Sequence, residues 1–248
     1  MAISLCAMAL ISCADASSTP AAVTSTAESD TDSVILSESK DMGTEYIDSF
    51  IFFGESTTYH LKSRGVLSGG RSTSQVLGNT SGTAILDTDT ASTSVICPET
   101  GEVVTFIQAI EQIKPKYLFM SFGLNGAPYK IKRGKEYFKG CYRELVGSVR
   151  AVSPQTRIIL ASCYPVAENM DMSRYSLTLD ELNGAILTLN EWTIELCREE
   201  KLKYLNVNEV LTDGDGRLRF EYQAGDGHHL TKGAYVKIIE YIRTHGYK

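Results

Sequence analysis

What this 248-residue sequence has little of narrows the field first. Lys and Arg number 24 against 30 Asp and Glu, a formal net charge of -6. A nucleic-acid partner needs clustered cations that displace counterions from phosphate, so that class is set aside. The one basic cluster, Lys130, Lys132, Arg133 and Lys135, reads as a solvated loop, with contact to an anionic substrate as the alternative. The four histidines are not spaced as metal ligands and no cofactor motif appears, so neither metal nor cofactor is expected. There is no C-x-x-C pair. Besides Cys6 and Cys13, Cys97, Cys141, Cys163 and Cys197 are widely spaced; Cys141 and Cys197 fall on the apolar stripes of predicted helices, Cys163 ends an apolar strand, and the four read as buried free thiols. The apolar stretch 1–12 is too short to span a bilayer.

Three zones follow from composition. Residues 1–13 end in Leu10-Ile11-Ser12-Cys13, which resembles the bacterial lipoprotein signal, although no Lys or Arg precedes the apolar stretch. That resemblance implies export, a cell-surface location and membrane contact only through a lipid on Cys13; a plain secretory signal is the alternative. Residues 14–45 are rich in Ser, Thr, Ala and Asp and read as a flexible tether. From Tyr46 to Lys248, apolar runs alternate with turn signals, so residues 46–248 form one domain of about 200 residues, large enough to build a core without staples.

Within that domain, Phe50-Ile51-Phe52-Phe53 is a short aromatic and β-branched run stopped by Gly54, and predicts a buried strand. Residues 116–122 and 157–162 have the same character, and a fourth strand is expected around 204–207. Between them, Phe138, Cys141, Tyr142, Leu145, Val149 and Val152 recur at helical spacing ahead of Pro154. Thr178 and Glu181 form a capping box for the next helix, and a last helix starts near Thr231. Alternating strands and helices predict an α/β fold with a mainly parallel sheet. The region 83–105 departs from that alternation and predicts an inserted β-hairpin, with Pro98 to Gly101 at its turn.

Ligands of open α/β sheets bind where strands end, so the polar segments at those ends carry the chemistry. They are Gly54-Glu55-Ser56-Thr57, Gly123-Leu124-Asn125-Gly126 and Asp226-Gly227-His228-His229. Ser56 stands at a strand-to-helix turn, where a base could activate its hydroxyl. His229 can be that base if a carboxylate fixes its tautomer, and Asp226 lies within reach in the same turn. Asn125 offers an amide donor for a developing oxyanion. Each residue also has a plain structural alternative: Ser56 as a helix cap, Asn125 as turn chemistry, His229 paired with Asp226 for structure alone. His228 reads as a lining or solvent residue, and His60 and His245 as surface residues.

The order Gly-x-Ser, Gly-x-Asn, Asp-x-x-His resembles the SGNH (GDSL-like) hydrolase, or lipase/acylhydrolase, family over residues 46–248. The resemblance implies a three-layer α/β/α sandwich of flavodoxin-like type. It also implies Ser56 as nucleophile, His229 as base, Asp226 as orienting carboxylate, and an oxyanion hole from Ser56, Asn125 and, within Asn79-Thr80-Ser81-Gly82-Thr83, Gly82. Glu55 replaces the usual Asp before the Ser, and Gly126 replaces the Asp that commonly follows the Asn. The expected activity is hydrolysis of a small acyl ester, an O-acetylated carbohydrate among the candidates. An O-acyltransferase acting on a surface polysaccharide, or a weakly catalytic carbohydrate-binding lipoprotein, are the alternatives. The segment 168–175, with Met170 and Met172, reads either as a pocket wall or as an ordinary connection.

Overall fold

A computed structural model describes residues 33–247 apart from 79–81, 83 and 174. The signal segment 1–13 and most of the expected tether lie outside the described residues. The elements run α1 (Gly43–Asp48), β1 (Phe50–Gly54), α2 (Ser56–Ser63), β2 (Val76–Leu77), β3 (Ser94–Ile96), β4 (Val103–Thr105), α3 (Phe106–Ile113), β5 (Tyr117–Ser121), α4 (Ala127–Arg133), α5 (Lys135–Val152), β6 (Arg157–Ala161), α6 (Leu179–Glu200), β7 (Lys203–Leu205), α7 (Asn208–Leu211) and α8 (Lys232–Thr244). Five strands form one sheet in the order β2-β1-β5-β6-β7, every neighbouring pair parallel. The inserted hairpin is β3 paired antiparallel with β4, Ser94 opposite Thr105.

Strand alternation builds the two cores. Because successive side chains leave a strand on opposite faces, Ile51, Phe53, Leu118, Met120, Ile158 and Leu160 point to one side, where α3, α5 and α6 cover them. Phe50, Phe52, Tyr117, Phe119, Ile159 and Ala161 point to the other and meet α1, α2 and α8. Strands covered on both faces have no polar side, which is why their sequences read as unbroken apolar runs. The predicted capping box is formed, with the Thr178 hydroxyl accepting from the Glu181 N–H and the Glu181 carboxylate from the Thr178 N–H. The four cysteines of the domain are buried free thiols.

Residues 33–45, assigned above to the tether, pack on the domain instead. The Leu36 N–H donates to the Tyr204 carbonyl, the Tyr204 N–H donates to the Val34 carbonyl, and Leu36 is buried. Edge strands carry unsatisfied backbone groups, and the apolar triplet Val34-Ile35-Leu36 meets them at β7. Asp41 then pairs with Arg243 of α8. The chain is therefore anchored before Tyr46, and the tether as expected ends too late.

Candidate active site

The end of β1 sets the position of Ser56. A Cβ on Gly54 would lie 2.4 Å from the Ser121 carbonyl oxygen and 2.5 Å from the Thr58 hydroxyl, so no larger residue fits between β1, β5 and α2. The chain then turns directly into α2. Glu55, not Ser56, occupies the N-cap position, and the Ser56 hydroxyl lies 3.0 Å from His229 Nε2. The plain capping role considered for Ser56 is thus not the one it plays.

His229 comes from the loop before α8. Its ring Nδ1 lies 2.6 Å from Asp226 Oδ2, while Asp226 Oδ1 accepts the backbone N–H groups of His229 (2.9 Å) and His228 (3.1 Å). The carboxylate folds over its own turn, which fixes both the ring and its tautomer. Burial pushes the Asp226 carboxyl up, but the hydrogen bonds from the His229 ring and the two backbone N–H groups outweigh it, and the carboxyl is held far below the usual range. Gly227 takes φ +81, and a Cβ there would lie 2.5 Å from Met170 Cα. The Ala167 N–H donates to the Gly227 carbonyl at 2.7 Å. Met170 therefore buttresses the loop with its backbone, a more specific role than that of a pocket wall. On the far side, the Tyr235 hydroxyl of α8 donates to the Thr57 carbonyl of α2 at 2.6 Å, tying the helix after His229 to the helix of Ser56.

The other two segments join Ser56 through its neighbours. Glu55 is 2% exposed. Its carboxylate accepts the N–H of Gly123 (3.0 Å) and that of Asn125 (3.1 Å to each oxygen), so the backbone of the Asn125 loop wraps around it. Burial raises the Glu55 pKa, and these N–H donors and the charge of Lys130 work against that rise. Gly82 is buried at φ +67 against the Tyr59 ring, and two residues later the Ala84 N–H donates to the Gly54 carbonyl at 3.2 Å. Most of the segment around Gly82 falls outside the described residues.

Two histidines read differently in three dimensions, and His228 lines the ring of His229 as expected. His60, expected at the surface, lies one helical turn after Ser56 and packs its ring on that of His229, centroids 4.6 Å apart, with its Nδ1 buried and unpartnered. Burial, then the neighbouring His229 charge, lowers its pKa to about 4. His228 packs on His229 as well, at 4.0 Å. His245 is buried and stacks on Tyr241. The basic cluster is helical rather than a loop: Lys130 is buried, Arg133 lies over the rings of Tyr129 and Tyr137, and Lys135 pairs with Glu195.

Asp226, His228 and His229 bring one ligand atom each within 4.8 Å of one another, spacing that a metal ion could use. Both His229 ring nitrogens are already engaged, one with Asp226 and one with Ser56, so a cation there would compete with that chain of hydrogen bonds. A pocket of about 600 Å³ opens beside Asn125, lined among others by Leu86, Asp87, Tyr129, Lys130 and Tyr137. A second of similar volume lies between α6 and residues 204–217 and shares no lining residue with the Ser56 site.

The model of the GDSL-like Lipase/Acylhydrolase family matches residues 52–236, a span that holds all three segments. The chain belongs to this family. Two solved structures share the fold. A DUF4886 family protein from Bacteroides uniformis is similar at 13% identity and TM-score 0.52, over 80% of this chain and 83% of that one. A Streptococcus pneumoniae protein provisionally called a platelet activating factor is similar at 18% identity and TM-score 0.50, over 83% and 91%. The periplasmic domain of a lipopolysaccharide acetyltransferase from Salmonella ser. Paratyphi A aligns at 16% identity and TM-score 0.47, over 78% and 82%. No curated protein matches the sequence. The mainly parallel α/β sandwich anticipated from the motifs is the fold of this family member.

Proposed function

We propose that the protein is a serine esterase that hydrolyses small acyl esters through an acyl-Ser56 intermediate. The observation that carries this reading is the unbroken hydrogen-bond chain from Ser56 Oγ to His229 Nε2 (3.0 Å) and from His229 Nδ1 to Asp226 (2.6 Å). Membership in an acylhydrolase family supports the reaction class.

In this mechanism Ser56 Oγ attacks the ester carbonyl carbon while its proton passes to His229 Nε2. The tetrahedral oxyanion collapses and expels the alcohol, which leaves with the proton from His229. Water then gives a proton to His229 and adds to the acyl carbon; collapse releases the carboxylic acid and returns the proton to Ser56. Asp226 stays ionised throughout and holds the imidazole in the tautomer that accepts at Nε2. The Ser56 N–H, the Gly82 N–H and the Asn125 amide are the proposed oxyanion donors; one well-aimed donor stabilises such a transition state by roughly 3–4 kcal/mol.

The alcohol portion is proposed to be a carbohydrate hydroxyl. The pocket beside Asn125 supports this with two tyrosine rings and a carboxylate, the mixture of flat apolar and polar surface that suits a sugar ring. The test is direct. Ser56→Ala is expected to abolish p-nitrophenyl acetate hydrolysis and fluorophosphonate labelling, and equal rates in the two proteins would reject Ser56 as nucleophile.

A further inference from the structure

Lys130 has an environment that family membership does not explain. It sits in α4, 3% exposed, and its Nζ turns back over the start of the helix to donate to the Asn125 carbonyl. Among the described residues no carboxylate lies within ion-pairing distance of it. A buried ammonium without a close counter-ion is costly, so its placement needs a reason. Asn125 supplies one. Its N–H is held by the Glu55 carboxylate and its carbonyl by the Lys130 ammonium, so both peptide groups flanking its Cα are fixed by charge-assisted hydrogen bonds.

The two departures from the family pattern fit the same arrangement. Gly126 takes φ +76, and a Cβ there would lie 3.4 Å from Lys130 Nζ. An Asp at that position would crowd the ammonium and offer it a carboxylate in place of the Asn125 carbonyl. Glu55, one methylene longer than Asp, reaches the loop N–H groups from the other side. We infer that Lys130 is a positioning residue that, opposite Glu55, clamps the Asn125 loop in the geometry the oxyanion needs. The inference rests on the esterase reading above.

The charge on Lys130 matters because a neutral amine donates a weaker hydrogen bond. Burial lowers its pKa, and Glu55 from the β1–α2 turn works against that, with smaller help from Cys163 after β6, Cys141 of α5 and Asp87 of the insertion; the Tyr129 and Tyr137 hydroxyls share its pocket. Loss of the proton at alkaline pH should therefore loosen the loop below the ordinary lysine range.

The experiment compares wild type, Lys130→Met and Ser56→Ala on p-nitrophenyl acetate from pH 6 to 10.5, with Ser56→Ala as the blank for spontaneous hydrolysis. Lys130→Met is expected to lower kcat at least tenfold with KM within about twofold. The wild-type kcat should fall on the alkaline side, a limb missing from the residual activity of the variant. Wild-type kcat in a folded Lys130→Met protein overturns the inference while leaving the esterase reading intact. If the variant does not melt cooperatively, the wild-type profile decides: a kcat that holds level to pH 10.5 overturns it. Activity retained by Ser56→Ala removes the esterase reading, and the inference with it.

Discussion

Glu55, beside Ser56, is 2% exposed, whereas the side chain of Asp226, beside His229, is 46% exposed. Both carboxylates do the same kind of work, gathering backbone N–H groups of a turn, yet their settings are opposite. The Glu55 side of the site is built into the interior, between β1, β5 and α4, where an unmet hydrogen bond cannot be replaced by water. The Asp226 side lies on a surface loop whose shape depends on its own Asp, on Gly227 and on the Met170 backbone behind it. The difference teaches that position and protonation are secured separately. The interior half should govern stability and geometry together, and the loop half should govern proton transfer with little effect on folding.

The sharpest test of that division is Asp226→Asn. It keeps the size of the side chain but lets the amide favour the wrong imidazole tautomer, so kcat/KM for p-nitrophenyl acetate is expected to fall on the order of 10³ to 10⁴-fold. Its melting temperature above pH 5 should fall by no more than a few degrees, because Asn can still accept the two backbone N–H groups and the lost charge is half exposed and screened. A large loss of stability with modest loss of rate would erase the contrast. Glu55→Gln is the mirror experiment. The amide can present only one oxygen to the Gly123 and Asn125 N–H groups and turns an NH2 toward donors, leaving buried partners unmet. Urea unfolding is expected to show a loss of about 1–3 kcal/mol, with a smaller effect on activity than Asp226→Asn. Stability equal to wild type would show that the buried carboxylate is not holding the loop.

Much of this arrangement is readable in one dimension, and the unread parts share a cause. Strands β1, β5 and β6 announce themselves because burial on both faces leaves them no polar position. Asp226 and His229 are legible because both sit in one turn, where spacing alone brings them together. Helix α3 is absent from the sequence expectations although Thr105-Phe106-Ile107-Gln108 carries a capping-box signal that the structure satisfies; the expected hairpin takes in its N-cap, Thr105. Strand β2, at two residues, is too short for periodicity to register. The segment at 33–36 looked like a tether because its neighbours are polar, and nothing local reports the free edge of β7 170 residues away. His60 and Lys130 were misread for the same reason. A histidine in a polar helix and a lysine in a basic run look solvated until distant chain covers them, and only the fold brings His229 over one and the Asn125 carbonyl under the other.

His60 allows the gentlest probe of the contrast, since it stands on the helix of Ser56 yet packs on His229. Burial and the His229 charge hold its pKa at about 4, against an ordinary 6.5. A histidine depressed in the folded state is neutral there while the unfolded chain takes up a proton, so stability is full above about pH 6.5 and is lost as pH falls toward 4. Phe at this position keeps an aromatic face against His229 but cannot titrate. His60→Phe is therefore expected to flatten the decline of melting temperature between pH 6.5 and 4 by a few degrees, with activity at pH 7 within a few-fold of wild type. The slope should not vanish, because His228, lowered by burial and by His229, acts in the same direction. An unchanged slope would mean that His60 takes up its proton in the folded protein as readily as in the unfolded chain, and His229 would then face a positive charge instead of a neutral ring.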